Sequence, residues 1–158
     1  YGTPKTLGVD RMVLAAGATL MYPNQNKLII DAGTCITYDF VNAENQYLGG
    51  AISPGIKIRY KSLNNYTSKL PLLTLSEDFE IIGNSTKSAI HSGVINGVIF
   101  EIEGFISQYS LKNQDLTIIL TGGDADFLAK RLKSTIFANS NFLLESLNLL
   151  SLYTQKND

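Results

Sequence analysis

The sequence predicts a protein of the α/β class, built from a mixed sheet with flanking helices. One observation is a run of three short β-branched segments separated by turn residues, which predicts an antiparallel three-strand meander. A second is the alternation of helical and strand patterns over the rest of the chain, an order typical of layered α/β proteins. Hydrophobic residues make up 44% of the 158 residues and charged residues 17%, which is enough apolar content for a core.

The individual elements follow from local patterns along the chain. Apolar residues recur at helical spacing over residues 8–21, and Asp10 lies near the start of this helix, where the helix dipole favours a carboxylate. After a turn at Pro23, β-branched and apolar runs predict strands over 27–31, 34–40 and 46–53. The later patterns predict helices over 56–69, 86–108, 126–133 and 143–153, and strands over 115–120 and 136–139.

Charge and composition exclude several classes of partner. Thirteen basic and fourteen acidic residues leave a formal charge of -1 with no basic patch, so we expect no nucleic-acid partner. Polar residues interrupt the longest apolar stretches, so we expect no transmembrane helix and no membrane partner. The N-terminus lacks the pattern of a signal peptide. The single cysteine, Cys35, forms no internal disulfide, which fits a reducing cytoplasm.

The turn between the first two strands is the first candidate for chemistry. Its sequence is Asp31-Ala32-Gly33-Thr34, in which Gly33 is free to take a positive φ. A glycine lets backbone N–H groups approach a phosphate, a threonine hydroxyl donates to its oxygens, and a carboxylate holds a cation. An ordinary hairpin turn explains the same residues equally well. The next residues, Cys35 and Ile36, are expected to lie in the core.

Three further segments carry polar groups at helix starts. Asp10 is a candidate general base, and Arg11 is a candidate for binding a carboxylate or phosphate through two parallel hydrogen bonds. The alternative is that Asp10 only caps the helix and that Arg11 is solvated. Thr86 follows a polar pair at the start of the long helix, where an anion site and a simple cap are both open. Gly122 and Gly123 form a strand-to-helix turn that suits close approach of a nucleotide.

Taken together and in this order, five segments resemble type III pantothenate kinases. They are residues 1–11, 31–39, 49–55, 84–86 and 121–125. The resemblance implies a ribonuclease-H-like lobe of the kind found in actin-like ATPases and sugar kinases. Residues 1–22 would be the end of a first lobe with its connecting helix, and residues 23–158 the second lobe. The family's first phosphate loop has no counterpart here, so we expect the chain to be part of a longer protein and inactive alone.

The same resemblance implies an activity and a set of residue roles. The reaction is the phosphorylation of pantothenate by ATP, the first step of coenzyme A synthesis, in a cytoplasmic homodimer. A monovalent cation, potassium or ammonium, and magnesium with ATP are implied as cofactors. The implied roles are catalytic base for Asp10; pantothenate binding for Tyr1, Gly8, Val9, Asp10, Arg11 and Thr86; ATP binding for Gly33, Thr34, Gly122 and Gly123; and the monovalent cation for Asp31.

Two other classes of function remain open at this point. One is a non-catalytic regulator of the transcription accessory factor type, which would keep the fold and lose the base. The other is a different actin-like sugar kinase or an assembly ATPase. The retained Asp10, Asp31 and Thr34 disfavour the regulator, and the segment Gly8-Val9-Asp10-Arg11 ahead of the phosphate hairpin disfavours both.

Overall fold

A five-stranded mixed sheet forms the centre of the protein in the computed structural model, which describes residues 1–157. The strands lie side by side in the order β3-β2-β1-β4-β5. Their bounds are β1 Asn26–Ala32, β2 Cys35–Val41, β3 Tyr47–Pro54, β4 Leu116–Thr121 and β5 Phe137–Ala138.

Strand directions define the topology of this sheet. The first three strands pair antiparallel in sequence order, whereas β4 is parallel to β1 and β5 is parallel to β4. The predicted meander is therefore confirmed, and each of its strands lies within one residue of its expected bounds. The strand order and directions are those of a ribonuclease-H-like lobe, which confirms the predicted fold class.

Six α-helices cover the two faces of the sheet in the described part of the chain. Their bounds are α1 Val9–Met21, α2 Ile56–Asn65, α3 Thr86–His91, α4 Gly97–Lys112, α5 Ala125–Ala129 and α6 Phe142–Asn157. A π-helical segment, Ser92–Asn96, joins α3 to α4 without a break, so the predicted long helix is present and continues beyond residue 108.

Two helices end earlier than the sequence pattern predicts. Helix α2 stops at Asn65 because Asn64 Nδ2 donates to the carbonyl of Leu70, at 2.7 Å, and thereby holds a returning loop. Helix α5 stops at Ala129, and shortly after it the backbone N–H groups of Lys133 and Ser134 donate to the Glu103 carboxylate. Hydrogen bonds outside the helices thus replace the helical bonds that local propensity favours. After α2 the bond is a local one to the Leu70 carbonyl, and after α5 the acceptor is the distant Glu103 carboxylate.

Alternate residues of β1 enter two different cores. Leu28 and Ile30 face the larger core, which lies under α2, α3, α4 and α5. Ile29 faces the smaller core, where it meets Leu14 of α1 and Phe142 of α6. Helices α1 and α6 therefore pack together on one face of the sheet, and the long helix packs on the other.

The long helix corrects the expectation that no segment resembles a transmembrane helix. Thr86–Lys112 spans 27 residues and is long and apolar enough to cross a membrane by length and composition alone. The polar residues that interrupt the sequence, such as Ser92 and Asn96, lie inside the π-helical segment and do not end the helix. One side of the helix packs into the larger core through Ile90, Val94, Val98, Ile102 and Ile106, which is the arrangement of a core helix in a folded domain.

Candidate active site

The hairpin after β1 and the glycine turn after β4 lie side by side. Parallel pairing places Asp31 opposite Thr121, so the carboxyl ends of both strands meet at one edge of the sheet. Gly122 has a φ of +97°, and a Cβ placed there would come within 2.4 Å of Asp31 Oδ1. The Asp124 backbone N–H donates to the Ala32 carbonyl at 3.0 Å. Only glycine permits this approach, which brings two predicted ATP-binding segments together.

A second glycine contact supports the hairpin loop. The Gly55 N–H donates to the Thr34 carbonyl at 3.0 Å, and a Cβ on Gly55 would lie 2.3 Å from the Gly33 oxygen. Within the loop the Gly33 N–H donates to the Cys35 carbonyl at 3.0 Å. Gly33 does not use its freedom to take a positive φ, since Gly49 and Gly122 are the glycines with positive φ in the described chain. The two flanking hydrogen bonds hold the loop without it.

The residues after the loop divide between surface and core. Ile36 is buried, as expected. Cys35 is exposed, contrary to the expectation that it lies in the core. It is the first residue of β2 and pairs with Pro54, the last residue of β3, so it lies at the end of the sheet. Thr34 is also exposed, so its hydroxyl faces solvent at the loop.

Helix α1 begins at the same edge of the sheet. Gly8 is the residue before its first turn, and no side chain caps this helix end through a hydrogen bond. A Cβ on Gly8 would come within 2.4 Å of Asp10 Oδ1, so the carboxylate occupies the space that any larger residue would need. Asp10 is exposed, whereas Arg11 beside it is buried.

A buried ion pair ties α1 to β2. Arg11 donates through Nε and Nη2 to Oδ1 of Asp39, at 2.8 and 2.6 Å. Tyr47 donates to the same oxygen at 2.6 Å, and Thr37 donates to Oδ2 at 3.0 Å. Burial opposes the charge on Arg11, but its bond to Asp39 and the attraction between them outweigh this and raise the pKa of Arg11. Burial, followed by the bond to Asp39, also raises the pKa of Tyr47.

Negative charge accumulates at this edge of the sheet. Burial raises the pKa of Asp31, and repulsion from Asp10 and then Asp39 raises it further. The nearby cation, Arg11, is already paired with Asp39. The surroundings of Asp31 therefore favour a cation. Among residues 1–157 no cluster of three or more His, Cys, Asp or Glu side chains is arranged around a metal position.

The structure gathers most of the predicted substrate residues but leaves Thr86 apart. Tyr1 lies against Tyr47, with ring centroids 5.6 Å apart, and thus reaches the ion pair that holds Arg11. Thr86 starts α3 and lines a different cavity of about 450 Å³ with Leu63 and Gly93. Helix α3 packs into the larger core, whereas α1 packs into the smaller core on the opposite face.

Sequence reasoning missed three residues that shape this site. Thr37, Asp39 and Tyr47 surround Arg11, and no role was predicted for any of them. One signal was available for Asp39, because a charged residue in the middle of a β-branched strand is rarely buried without a partner. Its partner lies 28 residues upstream, at a distance in the chain that no local pattern reveals.

Comparison with known proteins identifies the family. A family model described as type III pantothenate kinase matches residues 1–108. The chain belongs to the type III pantothenate kinase family. It is 65% identical over 158 residues to a type III pantothenate kinase of Flavobacterium johnsoniae, covering 100% of this chain and 65% of the relative. It is also 65% identical over 153 residues to that of Flavobacterium psychrophilum, covering 97% and 64%.

The match to type III pantothenate kinases has defined limits. The chain spans about 65% of the length of the curated relatives that it matches. The matched segment contains every predicted site residue except Gly122 and Gly123. A solved structure from Campylobacter jejuni, described as a Baf family transcriptional activator, has a TM-score of 0.69 and 22% identity, covering 97% of this chain and 67% of that chain. This likeness supports the fold assignment.

Proposed function

We propose that the protein phosphorylates pantothenate with ATP, the first step of coenzyme A synthesis. One observation carries the proposal. In a chain of the type III pantothenate kinase family, the Asp10 carboxylate, the Gly33–Thr34 loop and the Gly122 turn lie at one edge of the sheet. Repulsion from Asp10 contributes to the raised pKa of Asp31, which supports the proximity of the base to the phosphate hairpin.

The chemistry assigned to these residues is positioning and proton removal. Asp10 is exposed at the start of α1 and accepts the proton of the attacking pantothenate hydroxyl. The Gly33 and Thr34 loop meets the ATP phosphates, and Gly122 with Gly123 receives the nucleoside part. Tyr1 and the segment from Gly8 through Val9 to Arg11 form the pantothenate side. Phosphoryl transfer of this kind depends on alignment and charge neutralisation, and magnesium bound with ATP supplies part of the latter.

Asp31 is the proposed ligand of a monovalent cation, potassium or ammonium. Its pKa is raised by burial and by two other carboxylates. A cation beside Asp31 would therefore relieve the repulsion among the carboxylates when ATP is absent, and would offset the phosphate charge when ATP is bound. The lack of a clustered set of carboxylates in residues 1–157 favours a weakly held monovalent ion over a tightly held divalent one.

The proposed assembly is a homodimer through the face of α4. Phe100 and Leu111 are exposed on this helix, and a shallow cavity of about 650 Å³ lies between Phe100 and Tyr109. Thr86 and Asp10 belong to helices on opposite faces of the sheet. In a dimer, Thr86 of one copy could instead contact the pantothenate that is bound at Asp10 of the other copy. We place this dimer in the cytoplasm, with no nucleic-acid or membrane partner.

The test is a coupled assay of the protein encoded by the complete reading frame, with ATP, magnesium, potassium and pantothenate. Formation of phosphopantothenate supports the proposal. Sugars replacing pantothenate test the alternative of a different actin-like kinase. Absence of turnover with every alcohol, in a folded protein, would favour the regulatory alternative.

Asp10→Asn in that protein is expected to lower kcat by about 10²–10⁴-fold, because an amide cannot accept the hydroxyl proton. The side chain is exposed, so we expect the melting temperature to be unchanged. Steady-state kinetics and thermal unfolding provide the two measurements. Glu44→Gln, which changes an exposed carboxylate on the β2–β3 turn, is the matched control. Near-normal turnover in Asp10→Asn would remove Asp10 from the mechanism.

A further inference from the structure

We propose that Asp39 is a positioning residue for the phosphoryl transfer, holding Arg11 so that the start of α1 presents Asp10 to the substrate. The inference rests on the proposed function and assigns a role to a residue that the reaction itself does not touch. It also pairs the Arg11 guanidinium with the sheet, so Arg11 belongs to the pantothenate side through its place in the segment and not through a free side chain.

Burial and hydrogen bonding together keep Asp39 out of reach of a ligand. Its exposed fraction is 0%, and its two oxygens accept four hydrogen bonds. Oδ1 takes both Arg11 nitrogens and the Tyr47 hydroxyl, and Oδ2 takes the Thr37 hydroxyl. A carboxylate used in this way neither accepts a substrate proton nor holds a cation, so its contribution is to fix the groups around it.

The contact anchors a helix start that no side chain caps through a hydrogen bond in the described residues. Gly8 provides no side-chain cap for α1. Arg11 lies in the first helical turn, directly after Asp10, and is 6% exposed. Its bond to Asp39 attaches that turn to the middle of β2, where Asp39 is opposite Ile29 in the sheet. The position of Asp10 is thereby set by the sheet, which also carries Asp31.

The pair also holds the positive charge of Arg11 at Asp39. Both Asp10 and Asp39 interact electrostatically with Asp31, so the ion pair belongs to the same charged group as the candidate base and the cation ligand. Thr37 links the two regions, because it donates to Asp39 and is opposite Asp31 across β1 and β2.

The test compares variants of the protein encoded by the complete reading frame. Asp39→Asn is expected to lower kcat by about 10–100-fold, the usual cost of a small misplacement, while KM for ATP changes less than about threefold. Tyr47→Phe removes one donor to Asp39 and is expected to shift kcat in the same direction by a smaller factor. The control is Ile119→Val. Ile119 lies in the smaller core without contact to Arg11, and the change is expected to leave kcat unchanged.

A double variant separates positioning from direct substrate binding. If Arg11 acts only through Asp39, adding Arg11→Met to Asp39→Asn lowers kcat no further than either change alone. The proposal is overturned if the two losses of kcat multiply in the double variant and Arg11→Met alone raises KM for pantothenate. That result would mean that the Arg11 side chain binds the substrate directly.

Amide hydrogen exchange gives a readout that is independent of activity. Asp39→Asn is expected to speed exchange in residues 10–13 by at least about tenfold relative to β1, because the first turn loses its anchor. Unchanged exchange there overturns the positioning role, whatever the kinetics show. A wild-type protein without pantothenate turnover refutes the proposed function alone, and the exchange experiment still decides the role of Asp39.

Discussion

At the scale of single residues, the candidate site depends on groups whose properties come from their neighbours. Gly8 is an example, because its lack of a side chain leaves room for the Asp10 carboxylate 2.4 Å from where a Cβ would be. Asp31 is another, because burial and two carboxylates from other elements raise its pKa. Both effects arise between residues that local sequence patterns treat separately.

Gly8→Ala is expected to push the Asp10 carboxylate aside and lower kcat about 10-fold or more, since alignment of the base controls the rate. The stability cost is expected to be small, because the contacted atom is the end of a flexible, exposed side chain. Enzyme kinetics with thermal unfolding test this. Gly123→Ala is the comparison, because a Cβ there meets nothing within 4 Å. It measures how kcat responds to an alanine that contacts no neighbour in a predicted ligand loop. A Gly8→Ala enzyme with normal kcat would contradict this account of the helix start.

Asp31→Asn is expected to stabilise the protein at neutral pH in a buffer without potassium. The raised pKa means that the folded state binds the Asp31 proton more tightly than the unfolded state. Its contribution to stability is therefore present at low pH and is lost as pH rises through the folded-state pKa. The variant should flatten this decline in a series of thermal unfolding curves, and it should abolish activation by potassium. A variant that is less stable than wild type in choline buffer would show that the carboxylate is not under repulsion.

At the scale of elements, the contact between α1 and α6 is unusually close. A Cβ on Gly17 would lie 2.0 Å from Ser146 Oγ and 2.9 Å from Ser146 Cα, so the helices approach each other across a glycine and a serine. Ser146 is fully buried, and its hydroxyl has no hydrogen-bond partner in the described chain. The small side chains allow the two helices to cover the sheet together, which places the start of α1 near β2.

Gly17→Ala is expected to lower the free energy of unfolding by about 1–3 kcal/mol, the usual cost of overpacking a core. Ser146→Ala removes an unpartnered hydroxyl and is expected to be neutral or stabilising. Urea denaturation measures both. Gly104→Ala on α4, where a Cβ meets nothing within 4 Å, controls for the helix propensity gained by replacing glycine. Equal stabilisation by the Gly17 and Gly104 changes would mean that the helices separate more easily than the structure indicates.

At the scale of the whole molecule, the arrangement of helices leaves one face incomplete. The long helix buries one side in the larger core, while Phe100 is 60% exposed on its outer side. The adjacent edge strand β3 carries the exposed side chain of Leu48. An apolar helix face beside an edge strand is typical of a surface that is covered by another copy of the chain.

Phe100→Glu is therefore expected to dissociate the proposed homodimer and to lower turnover, because Thr86 would no longer reach the site of a second copy. Analytical ultracentrifugation at several concentrations measures the first effect and the coupled assay the second. Tyr66→Glu, at an exposed residue after α2, is the control. A Phe100→Glu protein that stays dimeric would place the interface elsewhere, and a monomeric wild type would refute the dimer.

Local pattern was sufficient for the elements of the sheet and for the residue types at its edge. The meander, the long helix and the buried strand β4 have hydrophobic periodicities that tertiary contacts do not override. The pattern therefore predicts the bounds of these strands and the start of the helix, which continues past its expected end to Lys112. Type III pantothenate kinase motifs in the right order then identified the family from residues 1–11, 31–39 and 84–86, which all lie inside the matched segment. The predicted ends of α2 and α5 were wrong. Asn64 donates to the Leu70 carbonyl in the loop after α2, and the chain after α5 donates to the distant Glu103 carboxylate.

Only the tertiary structure decided how the polar residues are paired. It turned Arg11 from an expected ligand clamp towards Asp39, and it gave Tyr47 and Thr37 a role in the site. It assigned positive φ to Gly122 in place of Gly33 and exposed Cys35 at the end of the sheet. The physical reason is the range of the interactions. Periodicity reports which side of an element is buried, whereas the pairing of charges and the space left by glycine depend on elements brought together from distant parts of the chain.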